Sequence, residues 1–116
     1  MFHKLTDQVW FGDADAVYEC RQQVKSVFNV AHTVRKKPGY WENMAHISSK
    51  VLYLRLAMQD REPWGEEYAE ALVAAVDVVC NLGLFPLLTH CQMGGHRGPS
   101  AAILAAWHIS GRRKAA

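Results

Sequence analysis

Disulfides are the first thing this chain cannot build on. Its cysteines number three in 116 residues, at positions 20, 80 and 91, with no paired spacing. A secreted, disulfide-stapled scaffold is therefore not expected, and the reducing cytoplasm is the expected compartment. No Cys-x-x-Cys pair is available to begin a structural zinc site. No run of about 18 apolar residues occurs, so no membrane span is expected. The opening residues Met1 to Asp7 lack the apolar core of a signal peptide. The charge excess is only +2, too small to point to nucleic acid or a membrane surface as a partner. Internal repeats, low-complexity tracts and linker-like stretches are lacking as well. What remains is a half-hydrophobic chain that reads as one domain over residues 1–116. It is long enough for a packed core and near the lower end for an enzyme.

Local patterns divide it into alternating strands and helices. Gln8 to Phe11 is a short strand candidate stopped by Gly12. Asp13 is a fair N-cap, and Ala14 to Val24 reads as a helix with Val17, Cys20, Arg21 and Val24 along one face. Ser26 to Ala31 reads as a buried strand, and Val51 to Leu56 alternates as a strand should. Between them, residues 32–50 have no clear period beyond the turn Lys36-Lys37-Pro38-Gly39. Ala57 to Gly65 reads as loop, broken by Pro63 and Gly65. Glu66 to Asn81 is the best-marked helix, acidic in its first turn and closed by Asn81-Leu82-Gly83. Leu84 to Thr89 is a central strand entered through Pro86; Pro99 opens a last helix and Gly111 is expected to end it. Arg112-Arg113-Lys114 then reads as a solvated tail. Such alternation predicts an α/β domain with a mostly parallel central sheet flanked by helices. Ligands of such sheets bind at the carboxyl ends of the strands.

One segment at such an end carries chemistry. Residues 90 to 100 read His-Cys-Gln-Met-Gly-Gly-His-Arg-Gly-Pro-Ser, which places Cys91 and Arg97 six positions apart around Gly94 and Gly95. A thiol leaving a strand for a glycine-bearing loop under a helix N-terminus meets inward-turned backbone N–H groups and the positive end of the helix dipole. That setting favours a nucleophilic thiolate. The same donors, supplied by Gln92, Met93, Gly94, Gly95, His96 and Arg97, suit a tetrahedral oxyanion, and a guanidinium can grip two of its oxygens. Nucleophile and phosphate receptor are then one loop. A structural thiol has no need of this surrounding, whereas Cys20 and Cys80 lie at apolar helix positions and read as buried structural cysteines. Zinc held by His90, Cys91 and His96 is disfavoured, because adjacent ligands on a turning loop make a poor tetrahedral set. Neither a metal nor another cofactor is expected.

The run His90, Cys91, Gly94, Arg97 resembles the His-Cys-x-x-Gly-x-x-Arg signature of the protein tyrosine phosphatase superfamily, in its dual-specificity branch. Val9 to Ala16 looks like that branch's opening strand and glycine turn, and Val27 to Ala31 like its second, buried strand. Tyr53-Leu54 followed by Gln59-Asp60-Arg61 resembles the strand and loop that deliver its general acid. The resemblance implies a cysteine-phosphatase-like domain with a minimal C-terminus. It implies hydrolysis of phosphate monoesters, phosphotyrosine first and phosphoserine or phosphothreonine beside it, on a protein or a small ester, through a cysteinyl-phosphate. Cys91 would attack phosphorus, Arg97 would bind the phosphoryl group, and Asp60, 31 residues before Cys91, would protonate the leaving oxygen. Glu62 stands in the same loop as the other acid. His90 would hydrogen-bond backbone near the cysteine and tune it rather than act as a base. The stretch Arg35 to Trp41 either rims the pocket or is an exposed basic turn.

Two departures stand out. The family carries Ser or Thr directly after the loop arginine, where its hydroxyl stabilises the departing thiolate; here the residue is Gly98, with Ser100 two positions on as a possible substitute. Only about twenty residues follow the loop, fewer than in larger members. The first departure sustains a rival reading, a phosphate-binding module impaired in catalysis. An arsenate reductase or sulfurtransferase would also use a thiolate in an anion loop. The former needs relay thiols, and the latter's loops lack the His-Cys-x-x-Gly context.

Overall fold

The computed structural model describes residues 1–31, 50–58, 65–91 and 97–115. Five strands form one sheet: β1 (Phe2–Lys4), β2 (Val9–Gly12), β3 (Ser26–Ala31), β4 (Leu52–Met58) and β5 (Leu87–His90). Their spatial order is β1-β2-β5-β3-β4, with β1 antiparallel to β2 and every other pairing parallel. The last strand in sequence is thus the middle strand in space. Three helices complete the described fold: α1 (Ala16–Glu19), α2 (Glu66–Leu82) and α3 (Arg97–Ala115).

Side chains alternate across the sheet with a period of two. Val9, Phe28, Val30 and Leu87 point to a core shared with Leu72, Val76 and Val79 of α2 and Ala101, Ala102, Ala105 and Ile109 of α3. Their neighbours Trp10, Val27 and Leu88 point the other way, onto Ala16, Val17, Cys20 and Val24. A parallel strand covered on both faces must be apolar at successive positions, which is why β3 and β5 read as hydrophobic runs rather than alternating ones.

β3 spans the expected residues, and α2 runs one residue further than expected before Gly83, at φ 65°, closes it. Gly83 and Leu84 donate back to the carbonyls of Cys80 and Val79, the paired bonds that end helices with a left-handed residue. Other expectations are corrected. The helix expected over 14–24 is regular only at Ala16–Glu19, because the Arg21 N–H turns to the Tyr18 carbonyl three residues back and the ladder tightens into turns. The apolar spacing survives the change, and Val17, Cys20 and Val24 remain buried. Gly111 does not end the last helix, which continues to Ala115. Arg112 donates to Asp77 and, at 2.9 Å, to Asn81 of α2, so this turn is anchored rather than a solvated tail. Cys80 is half-buried, not buried. β1 was not legible as a strand; it adds an edge through Phe2 stacked on Trp10, ring centroids 5.3 Å apart, and Lys4 over the same indole.

Gly12 is where β1, β2 and α1 meet. A Cβ there would lie 2.5 Å from the Ala16 Cβ and 2.7 Å from the Met1 carbonyl oxygen. Neither neighbour is the end of a flexible chain, so overpacking cannot be relieved by a rotamer change. Gly12→Ala is expected to lower stability by about 2 kcal/mol or more, read as a reduced urea midpoint. A midpoint equal to that of the parent protein would contradict this packing.

Candidate active site

The middle strand delivers the candidate nucleophile. β5 ends at His90, Cys91 follows, and α3 opens at Arg97. Residues 92–96 and 59–64 lie outside the described residues, and with them Gln92, Met93, Gly94, Gly95 and His96 of the expected receptor, Asp60 and its neighbour Glu62. The basic stretch Arg35 to Trp41 lies outside them too. Cys91 and Arg97 thus stand at the two ends of the expected loop, 2% and 7% exposed.

Two neighbouring backbone segments, at Gly12 and Gly98, enclose the thiol. The Cys91 N–H donates to the Gly12 carbonyl at 3.3 Å, tying the end of β5 to the end of β2. The Thr89 hydroxyl donates to the Gly98 carbonyl at 2.7 Å, tying β5 to the first turn of α3. Thr89 can do so because it shares a face with Leu87, the face that α3 covers. Gly98 lies against the sulfur: a Cβ built on it would be 3.5 Å from Cys91 Sγ, 3.4 Å from Cys91 N and 3.2 Å from the Gly12 oxygen. The thiol therefore lies within the first turn of a 19-residue helix, where unsatisfied N–H groups and the helix dipole favour an anion.

The residue directly after Arg97 therefore faces the thiol, and in this chain it has no side chain. Ser100 does not replace it. Two residues along a helix is roughly 200° around it, and Ser100 is exposed while Cys91 is buried.

His90 takes the opposite face from Cys91, since consecutive residues at a strand end diverge. Its ring is fully buried, and neither nitrogen has a hydrogen-bond partner among the described residues. Burial drives its pKa down to about 4, opposed by the Cys91 backbone and the Asp13 charge. The Cys91 backbone is thus near enough to favour the protonated ring, yet the contact falls short of hydrogen-bond geometry. At neutral pH His90 is uncharged.

The other thiols differ in setting. Cys20 donates to the Ala16 carbonyl at 2.9 Å, and burial pushes its pKa up to about 11, so it stays a protonated, packed group. Tyr68, in the first turn of α2, is close enough to Arg97 to feel its charge. Its hydroxyl donates to the Leu56 carbonyl at 2.5 Å, a contact that no sequence pattern announces.

No protein-family model matches the chain, and no curated protein matches it in sequence. Solved structures do. OH1 from the Orf virus, a tyrosine phosphatase described as having triple substrate specificity, superposes with a TM-score of 0.69 at 19% identity, over 97% of this chain and 62% of that one. Human DUSP28 gives 0.69 at 19% identity, over 95% and 72%. Tk-PTP gives 0.67 at 16%, over 96% and 72%. The chain thus spans between 62% and 72% of the length of these proteins. It has the fold of the tyrosine and dual-specificity phosphatases.

The buried His90 gives stability a defined pH dependence. Its folded-state pKa, about 4, lies below the ordinary 6.5, so the unfolded chain binds the proton first. The stabilisation is complete above pH 6.5 and is lost as pH falls toward 4. At about 1.4 kcal/mol per unit, the loss is roughly 3 kcal/mol. His90→Gln should remove that part of the slope in urea melts between pH 6.5 and 4. Parallel curves for the two proteins would show that His90 is not the group responsible.

Proposed function

We propose that this chain is a cysteine-dependent phosphatase acting on phosphate monoesters, phosphotyrosine above all, on a protein or a small molecule. The observation that carries the reading is Cys91 Sγ lying under the first turn of α3, whose opening residue is the buried Arg97. An arginine fork beside helix N–H groups matches the oxygens of a phosphoryl group.

With Asp60 as the general acid that the resemblance implies, the chemistry is a double displacement at phosphorus. The sulfur lone pair forms an S–P bond while the P–O bond to the leaving group breaks. The departing oxygen keeps that electron pair and takes a proton from Asp60. Water then attacks phosphorus, the S–P pair returns to sulfur, and the Asp60 carboxylate takes the proton that water gives up. Arg97 and the helix N–H groups bear the charge on the equatorial oxygens in both steps. His90, neutral and on the other face, takes no proton in either step.

Gly98 favours a second reading, a phosphate-binding module with slow turnover. The position directly after Arg97 faces the sulfur, so a side-chain hydroxyl there would meet the thiolate as it departs. Glycine supplies none, and breakdown of the cysteinyl-phosphate is the step that suffers.

Hydrolysis of para-nitrophenyl phosphate, inhibited by vanadate, tests the main reading. Cys91→Ser should abolish turnover, Arg97→Lys should cost at least about 10²-fold through loss of the bidentate fork, and Asp60→Asn should cost about 10²-fold or more and lose the basic limb of the pH profile. Full activity in Cys91→Ser would end the proposal.

The second reading has its own test. Gly98→Ser should convert a burst followed by slow turnover into faster steady-state turnover, at a stability cost of about 1 kcal/mol from crowding against the Gly12 carbonyl. Burst and steady state unchanged in a folded variant would show that breakdown does not limit.

A further inference from the structure

Thr89 places a hydroxyl where its neighbours are hydrocarbon. It is fully buried in β5, and its partners on the adjoining strands are Phe11 of β2 and Phe28 of β3. Both rings pack in the core that α3 covers. Valine has the same β-branched shape and would fill this place with no hydroxyl to satisfy. The helix does not need the hydroxyl either. Gly98 is the second residue of α3, and in an α-helix its carbonyl accepts the amide four positions on, that of Ala102. The 2.7 Å bond from Thr89 is therefore a second bond on an acceptor already used. Stability alone gives no reason for it.

Location does. The bond pins the first turn of α3 to the strand that carries Cys91 two residues further on. The Gly98 Cα faces the thiol, since a Cβ built on it would lie 3.5 Å from Cys91 Sγ, and Arg97 is the residue before it. We propose that Thr89 is a positioning residue of the site: its hydroxyl holds Gly98, and with it Arg97, at the distance from the Cys91 sulfur at which one oxyanion meets both. The inference rests on the phosphatase reading above. Between two phenylalanine rings the bond is strengthened by its low-dielectric surroundings. The field of a helix terminus falls off within a turn, so a small outward shift of α3 weakens what an anion meets at the sulfur.

Two variants separate location from packing: Thr89→Val keeps the shape and removes the donor, and Thr89→Ser keeps the donor. In Thr89→Val the inhibition constant of inorganic phosphate, against para-nitrophenyl phosphate, should rise about fivefold, the size of one ordinary hydrogen bond. The ratio of Cys91 alkylation rates by iodoacetate and iodoacetamide should fall by a similar factor. Both reagents need the same thiolate, and only iodoacetate brings a negative charge for Arg97 and the helix to hold. The urea midpoint should equal that of the parent protein or exceed it. Thr89→Ser should recover the parent's phosphate constant and alkylation ratio. Parental values of both in Thr89→Val would overturn the positioning role. So would a loss that Thr89→Ser does not recover, or one that comes with a lowered urea midpoint. Each of these outcomes leaves the phosphatase reading standing. That reading fails separately, and takes this inference with it, if Cys91→Ser keeps its turnover.

Discussion

The Cys91 amide bound to the Gly12 carbonyl is the junction on which the site depends. It closes the middle strand against β2 at the point where β5 stops being a strand and its polar groups would otherwise lose their ladder. Gly12 in turn is held by contacts that a side chain would prevent, with Ala16 on one side and Met1 on the other. The thiol is therefore referenced to β1, β2, α1 and α3 at once, through backbone contacts and the Thr89 hydroxyl. Backbone contacts leave little room for rotameric drift, and a reacting sulfur needs that fixity. At the far end of α3, His108 and Arg112 grip Asp77, whose carboxyl their bonds hold below the usual range. Such exposed pairs contribute little energy. They join α3 to α2 at the end remote from the thiol, while the buried Ala101, Ala102, Ala105 and Ile109 fix which face of α3 meets the sheet.

The alternation of strand side chains sorts two adjacent residues into different chemistry. Cys91 faces the helix whose N-terminus favours anions. His90 faces the opposite core, buried and neutral, with unpartnered nitrogens among the described residues. On the phosphatase reading, a base there would be on the wrong side of the sheet from the phosphoryl group. The sheet thus explains why a His-Cys pair need not be a catalytic dyad. The environment, rather than the residue type, also separates Cys20 from Cys91. The former is a donor to its own helix at the centre of a packed face, whereas the latter is at a strand terminus beside an arginine.

What the sequence made legible follows from how local each cause is. β3 and α2 were readable because burial on both faces and a glycine C-cap act within a few residues. The extent of α1 was not, since its apolar spacing satisfies either a helix or a series of tight turns. The length of α3 was misread at Gly111 because what carries the helix onward is Asp77 and Asn81, about thirty residues distant in sequence. β1 is three residues long, too short for any period, and depends on Trp10 for its place. In the site, the six-residue spacing of Cys91 and Arg97 was visible, and so was the glycine after the arginine. The neutral state of His90 was not, for it depends on which face of the sheet receives the ring. Nor was the outward turn of Ser100, or the bond from Tyr68 to Leu56, because each depends on the fold being complete.

Gly98 is where packing and chemistry compete for one atom. Without a Cβ, the first turn of α3 comes close enough for the Gly12 carbonyl, the Cys91 amide and the sulfur to crowd the same point. That approach keeps the thiol deep under the helix, where the field favouring an anion is strongest and falls off within a turn. A residue bearing a hydroxyl would give the sulfur a donor but would push the helix outward by a few tenths of an ångström, with Arg97 attached to it. On the phosphatase reading, the helix field also favours departure of sulfur from phosphorus as an anion. On that reading a closer helix offsets part of what a missing hydroxyl takes away, and the balance of these two effects decides whether phosphate is released or retained.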